Sequence, residues 1–141
     1  CLESLLFHNK RDEQGLYYWC TLIVVDAYNK AGFTGLTRAA LAGVLAMKSF
    51  FANTSGYQLL PSDTLVEQLR PGDVIFFEGN GQHTSLVKSI DVSQAGNGVI
   101  RTYESNNVVT EDVVSVQNHQ ATTAQTTAKI YVISGFGRVK G

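Results

Sequence analysis

The apolar residues of the chain change their spacing at Pro71-Gly72, and this change limits the possible folds more than any other feature of the sequence. Before this point they recur at helical intervals, most clearly over 20–30 and 37–51. After it they form short β-branched and aromatic runs, separated by turns that contain glycine and asparagine. Helices followed by strands, with no internal repeat, predict an α+β fold with an antiparallel sheet.

The predicted elements follow this division. The first half is expected to form three helices: Cys20–Lys30 before a stop at Gly32, Thr37–Phe51 with Thr37 as N-cap, and a short capped helix that starts at Ser62 and ends before Pro71. The second half is expected to form five strands: Asp73–Phe77, Thr84–Ile90, Val99–Tyr103, Val113–Val116 and Lys129–Ser134. The polar stretch Ala121–Thr127 is expected to be a loop.

The length and the composition bound the class of protein. The 141 residues correspond to a single domain, 1–141, and because the numbering starts at Cys1 without a Met we expect a domain excised from a larger protein. An apolar content of 44% with only 16% charged residues is sufficient for a core and argues against disorder. The net charge is −1, whereas a sequence-independent nucleic-acid binder needs an excess of positive charge. No apolar run approaches the roughly 20 residues that cross a bilayer. We therefore expect no nucleic-acid partner and no membrane span.

The cysteines and histidines are not spaced as metal ligands. The chain has two Cys and three His, and it contains no C-x-x-C and no H-x-x-x-H pair. We therefore expect no metal and no other cofactor. Cys1 and Cys20 could pair, but one disulfide would add little to a chain that can bury a core.

Cys20 stands at the predicted start of a helix, where backbone N–H groups stabilise an anion. A thiol at such a position has a lowered pKa and is a better nucleophile. The neighbouring aromatic residues are expected to border the thiol on one side; they are Tyr17, Tyr18 and Trp19. The alternative is a buried cysteine that packs as a small hydrophobe.

A nucleophilic thiol needs a base, and histidine is the usual one. His8 and His119 lie in polar, loop-like stretches, whereas His83 opens a predicted strand directly after a turn that holds two glycines. An imidazole on a sheet is held more firmly than one on a loop, which favours His83. Each histidine could instead be an ordinary surface residue.

The base must also be oriented through its second ring nitrogen. Strand alternation places Glu104 and Asn106 on one face of the strand that starts near Val99, and both can accept from an imidazole N–H. Two residues along a strand are about 6.6 Å apart, so only one of them can contact a given nitrogen. We expect Glu104 to make this contact, because its charge also stabilises an imidazolium. Asn106 is the alternative. Both residues could instead belong to a solvated strand end without a function.

Five segments, in their order along the chain, resemble elements of CHAP domains, the cysteine- and histidine-dependent amidohydrolases and peptidases, and of their NlpC-type relatives. They are WCT at 19–21, LRPGDVIFF at 69–77, HTSLV at 83–87, YESN at 103–106 and GFGR at 135–138. The resemblance extends over roughly residues 17–139, and the PGD strand followed by the histidine is its most specific part.

The resemblance implies a papain-like fold, in which N-terminal helices pack on the antiparallel sheet. It also implies a hydrolase of peptidoglycan amide bonds, either an N-acetylmuramoyl-L-alanine amidase or an endopeptidase. Cys20 would attack the carbonyl, His83 would transfer the proton, and Glu104 or Asn106 would orient the ring.

The same resemblance implies where the substrate binds. The backbone N–H of Cys20, with a hydroxyl of Tyr17 or Tyr18, would hold the oxyanion. Trp19 and the turn that contains Gly81 and Gln82 would line a groove between the cysteine helix and the sheet. The expected partner is peptidoglycan or another peptide amide, the expected location is extracellular, periplasmic or phage-associated, and the isolated domain is expected to be a monomer.

Two other functions remain open at this point. A non-catalytic binding domain could keep the same fold with Cys20 as a packing residue. A toxin-like acyl transferase or deamidase could act on a protein with the same nucleophile. Cys1 is expected to mark a domain boundary, with a processed or lipidated N-terminus as the alternative.

Overall fold

The computed structural model describes residues 19–36, 43–79, 81–106, 108–122, 124–126 and 129–140. The helices are α1 (Trp19–Lys30), α2 (Val44–Asn53) and a 3-10 turn (Val66–Gln68). The strands are β1 (Tyr57–Leu60), β2 (Val74–Gly79), β3 (Gly81–Val92), β4 (Gly98–Asn106), β5 (Val108–Gln117), β6 (Gln120–Ala121), β7 (Ala124–Thr126) and β8 (Lys129–Val139).

One antiparallel sheet of eight strands dominates the described residues. Its order is β1-β8-β2-β3-β4-β5-β6, and β7 pairs with β8 beside this path. Strands β2 to β6 follow one another as neighbours, whereas β8 enters between β1 and β2. The final strand of the chain therefore lies beside the strand that starts after Pro71-Gly72.

The predicted α+β, papain-like arrangement of N-terminal helices packed on an antiparallel sheet is wrong. The described chain is mostly strand and has two short α-helices. Strand content was underestimated because pairing extends β3, β4, β5 and β8 beyond their apolar centres into polar residues.

Three predicted elements differ for identifiable physical reasons. Of the helix expected over Thr37–Phe51, the structure describes Val44–Asn53, which follows Gly43 with φ 110°; residues 37–42 lie outside the described residues. The helix expected from Ser62 is reduced to the 3-10 turn, whose Val66 N–H donates to the carbonyl of His119 at 2.8 Å. The expected loop Ala121–Thr127 contributes residues to β6 and β7.

The sheet separates two apolar clusters. On one face, here called the helix face, Phe76 and Leu86 pack with Val24 and Val25 of α1 and with Phe51 of α2. On the opposite face a second cluster is enclosed by the strands and the 3-10 turn, and it includes Ile75, Phe77, Val87, Ile100 and Ile133. Because side chains alternate along a strand, each residue of β3 and β4 belongs to one face or the other.

The turn before β2 is fixed by a buried ion pair. Gly72 has φ 94°, and the Asp73 carboxylate accepts from the backbone N–H of Arg70 at 2.8 Å. The same carboxylate pairs with both Nε and Nη2 of Arg138, and Arg138 Nη2 also donates to the carbonyl of Gln68 at 2.6 Å. Asp73 and Arg138 are both buried, so this pair joins β8 to the start of β2 in the interior.

No helix in the described ranges is long and apolar enough to cross a membrane.

Candidate active site

His83 and Glu104 form a partly buried ion pair on the face opposite the helices. Nε2 of His83 contacts Oε1 of Glu104, and their side chains are 17% and 12% exposed. The ring of His83 lies beside those of Phe77 and Tyr131, with both centroid distances at 5.7 Å. This shell fixes the ring and leaves a small part of it accessible.

Strand register explains why these side chains meet. His83 is paired with Phe77 across β2 and β3, and Leu86 is paired with Tyr103 across β3 and β4. The Leu86–Tyr103 pair places Ser85 opposite Glu104, and His83 lies two residues before Ser85. His83 and Glu104 are therefore on the same face, near the same end of the two strands.

Ser85 supports Glu104 from the same face of β3. Its hydroxyl donates to Oε1 of Glu104 at 3.0 Å, and the residue is 1% exposed. A hydroxyl so buried and already donating to a carboxylate is suited to orienting that carboxylate and not to attacking a substrate.

A second carboxyl, that of Asp112 on β5, completes the cluster. Burial acts to raise the pKa of Glu104, but the hydrogen bonds with His83, Asp112 and Ser85 and the charge of His83 together lower it below its ordinary value. The hydrogen bond with Glu104 is the main cause that raises the pKa of Asp112, and burial adds to it. Of the two carboxyl groups, that of Glu104 therefore ionises more readily.

The Glu104 ionisation links stability to pH. Because its pKa is lower in the folded state, the resulting stabilisation is fully present above the ordinary Glu range and is lost as the pH falls through the folded-state pKa.

The floor of the cluster carries an unsatisfied hydroxyl. Thr102 is paired with Asp112, is fully buried, and its Oγ1 has no hydrogen-bond partner among the residues that the structure describes. Such a group costs free energy because it loses its hydration without compensation.

Replacing Thr102 with valine is therefore expected to raise the free energy of unfolding by about 1 kcal/mol, since the shape is kept and the unsatisfied hydroxyl is removed. The matched control is Thr64→Val. The Thr64 hydroxyl is also buried but donates to the carbonyl of Pro61 at 2.6 Å, so its loss should lower stability by about 1 kcal/mol. Urea denaturation measures the free energy of unfolding of both variants. An equal loss of stability in the two would contradict the conclusion that the Thr102 hydroxyl has no hydrogen-bond partner.

The predicted nucleophile lies on the helix that packs against the other face. Helix α1 begins at Trp19, which places Cys20 in its first turn, and it ends at Lys30 before Gly32 as predicted. The helix packs against β3 and β4 on the helix face, next to Leu86, whereas His83 points from the opposite face. The side chains of Trp19 and Cys20 are outside the described part of the structure.

The other predicted site residues are distributed as follows. Tyr17 and Tyr18 lie outside the described residues, and Asn106 ends β4 opposite Val108 with its side chain outside the description. Gly81 is paired with Gly79 across the β2–β3 hairpin. Gln82 is exposed and, by alternation, lies on the face away from His83.

Sequence reasoning missed Ser85, Asp112 and Tyr131. Ser85 could have been found, because it stands two residues after His83 and therefore shares its face. Asp112 fell just outside the strand predicted from Val113, and its relation to Glu104 depends on the pairing of β4 with β5. Tyr131 depends on β8 lying beside β2, which no local pattern indicates.

Two cavities in the described part of the molecule lie away from His83. One of about 270 Å³ is bordered by Tyr28, Pro71 and Leu86, and another of about 390 Å³ by Leu60 and Gln68; both reach Arg70 and Arg138. Arg138 is already paired with Asp73, so the cluster around His83 remains the better candidate for chemistry.

The described residues contain no group of three or more His, Cys, Asp or Glu side chains placed to hold a metal ion. Comparison with known proteins gives no match to a family model, to a curated protein or to a solved structure.

Proposed function

We propose that the protein is a cysteine-dependent hydrolase of amide bonds, with peptidoglycan as its substrate class. The observation that carries the proposal is the partly buried pair of His83 with Glu104, an imidazole fixed by a carboxylate. This is the arrangement that a general base needs when it must pass a proton between a nucleophile and a leaving group.

The ring nitrogen that would do this work is Nδ1, because Nε2 faces Glu104. The Cys20 thiol would give its proton to Nδ1 and attack the amide carbonyl as a thiolate. The C–N bond would break as the imidazolium returns the proton to the leaving amine, leaving a thioester on Cys20. Water, deprotonated by the same nitrogen, would then release the carboxylic acid and restore the thiol.

Two features support the choice of Cys20. Its position in the first turn of α1 favours the thiolate, because helix N-terminal N–H groups stabilise negative charge. Ser85 is the hydroxyl residue that shares a strand face with His83, but it is buried and its hydroxyl donates to Glu104. It is therefore unsuited to act as the nucleophile in place of Cys20. The proposal requires the Cys20 thiol to reach His83 past the ends of β3 and β4.

The substrate class comes from the segments that resemble CHAP domains, above all the PGD strand followed by the histidine. An extracellular, periplasmic or phage-associated location would follow from this substrate.

Digestion of purified cell walls tests the proposal. The protein should release soluble fragments, and mass spectrometry of the new chain ends should show whether the sugar–peptide link or a bond within the peptide was cut. Cys20→Ser should abolish release, whereas Cys1→Ser, the matched control, should not. Wall binding without any new chain end would favour a binding domain instead, and release that survives Cys20→Ser would reject a cysteine mechanism.

A further inference from the structure

One oxygen of the Glu104 carboxylate is shared by two side chains of β3. Oε1 faces Nε2 of His83, and it also accepts from the Ser85 hydroxyl at 3.0 Å. Ser85 stands opposite Glu104, and His83 lies two residues before Ser85, so both side chains reach the carboxylate from the same face of the strand. The imidazole and the hydroxyl therefore draw on the negative charge of the same atom.

Burial keeps the Ser85 hydroxyl on this oxygen. The residue is 1% exposed, and its cross-strand neighbour on β2 is Ile75, which belongs to the apolar cluster of this face. A hydroxyl has a single proton to donate, and a buried hydroxyl that gave up its acceptor would pay the free energy of an unsatisfied polar group. Ser85 therefore donates to Glu104 whether the His83 ring is neutral or protonated.

A hydrogen bond donated to a carboxylate makes that carboxylate a weaker base, because it stabilises the ionised form. An anion that is already stabilised gains less from a neighbouring cation. The same imidazole beside a carboxylate without the second donor would hold its proton more tightly. This matters for a general base, which works best when its pKa lies near the operating pH and which is inactive while it stays protonated.

We propose that Ser85 is a positioning residue that moderates the base: by donating to Oε1 of Glu104, its hydroxyl limits how tightly the carboxylate holds His83 in the protonated state. The consequence for the reaction rate rests on the proposed function, whereas the consequence for the ionisation of His83 does not.

The other groups that face His83 in the described part of the chain come from three neighbouring strands. They are Phe77 on β2, Tyr131 on β8 and the exposed Asp112 on β5. Glu78, the other charged residue of this part of β2, lies by alternation on the helix face, where it pairs with Lys48. All of these groups stay in place when Ser85 is replaced, so a change in the His83 titration reports the loss of the hydroxyl.

NMR titration of the His83 ring tests the proposal without any need for activity. A Cys20→Ser background keeps the thiol from titrating together with the ring. In this background Ser85→Ala should raise the midpoint of the ring by about 0.5–1 pH unit, because the lost hydrogen bond is to a charged group and only part of its strength passes to the imidazolium. Ser85→Cys should raise the midpoint by less, since a thiol is a weaker donor, and it keeps the test valid if the alanine variant folds poorly.

Ser134→Ala is the matched control. Its hydroxyl also belongs to the sheet, but it donates to the carbonyl of Phe76 at 3.3 Å, so its loss should leave the His83 midpoint where it is in the background protein. A midpoint that is unmoved or lowered in Ser85→Ala would overturn the proposal, and so would an equal rise in Ser134→Ala.

The kinetics of the chain with Cys20 intact separate this role from a merely structural one. In Ser85→Ala the pH profile of kcat/KM on soluble wall fragments should move to higher pH, whereas a structural defect would lower kcat/KM at every pH without moving the profile. A lowered but unmoved profile would therefore count against the proposal. A wild type that releases no wall fragments would reject the proposed function, while the NMR titration still decides on Ser85.

Discussion

Replacing His83 with alanine is expected to lower kcat/KM for wall hydrolysis by about 1000-fold, within the range that general acid–base catalysis contributes. Among the described residues two imidazoles pair with a carboxylate, those of His83 and His119, and the His83 pair is the more buried of the two. In the proposed mechanism, removal of the His83 ring leaves the thiol without a proton acceptor and the leaving amine without a donor. Initial rates on soluble wall fragments measure the effect.

His119→Ala is the matched control for this loss. His119 also pairs with a glutamate, Glu67 of the 3-10 turn, but both side chains are more than a third exposed. Its replacement should leave kcat/KM unchanged. If kcat/KM fell strongly in His119→Ala and was retained in His83→Ala, the base would be His119 and not His83.

The role of Glu104 follows from the same pair. Glu104→Gln keeps an acceptor oxygen but loses the charge that stabilises an imidazolium, so it should retain a partial rate. Glu104→Ala should lose most of the rate, because the ring loses both its orientation and its counter-charge.

Replacing Arg138 with methionine is expected to lower the free energy of unfolding by about 3–5 kcal/mol, because it leaves the Asp73 carboxylate buried without its counter-charge. The guanidinium also donates to the carbonyl of Gln68, so two buried acceptors lose their partner together. Chemical denaturation measures the change.

Two further variants define this effect. Arg138→Met combined with Asp73→Asn should recover part of the loss, because the amide oxygen can still accept from Arg70 while the buried charge is removed. Lys30→Met, which breaks the exposed pair with Asp26, should cost less than about 1 kcal/mol. If Arg138→Met were no more destabilising than Lys30→Met, the buried pair would not be what holds β8 to the turn before β2.

Local patterns predicted what depends on neighbours in sequence. Helix α1 begins within one residue of the predicted start, because Cys20 to Lys30 carries helical spacing and Gly32 ends it. The strand that follows Pro71-Gly72 was also predicted from residue types alone. The contact of His83 with Glu104 also followed from strand alternation, once both strands were recognised.

Features that depend on distant pairing could not be read from the sequence. The 3-10 turn at Val66 is set by its bond to the carbonyl of His119, more than fifty residues away. Strand β6 consists of polar and small residues that carry no strand signal of their own and pairs at the end of β5. The face of the sheet on which α1 packs also depends on tertiary contacts. The helix lies over Leu86, whereas His83 is on the opposite face.

The pH dependence of Cys20 alkylation tests most directly whether the thiol and the His83–Glu104 pair act together. The measurement uses iodoacetamide in a Cys1→Ser background, so that a single thiol reacts. A thiolate held by an imidazolium should react at a rate that levels off well below the free-thiol value of about 8.5, and His83→Ala should return the midpoint towards that value. A midpoint near 8.5 that His83→Ala leaves unmoved would contradict a catalytic pair of Cys20 and His83.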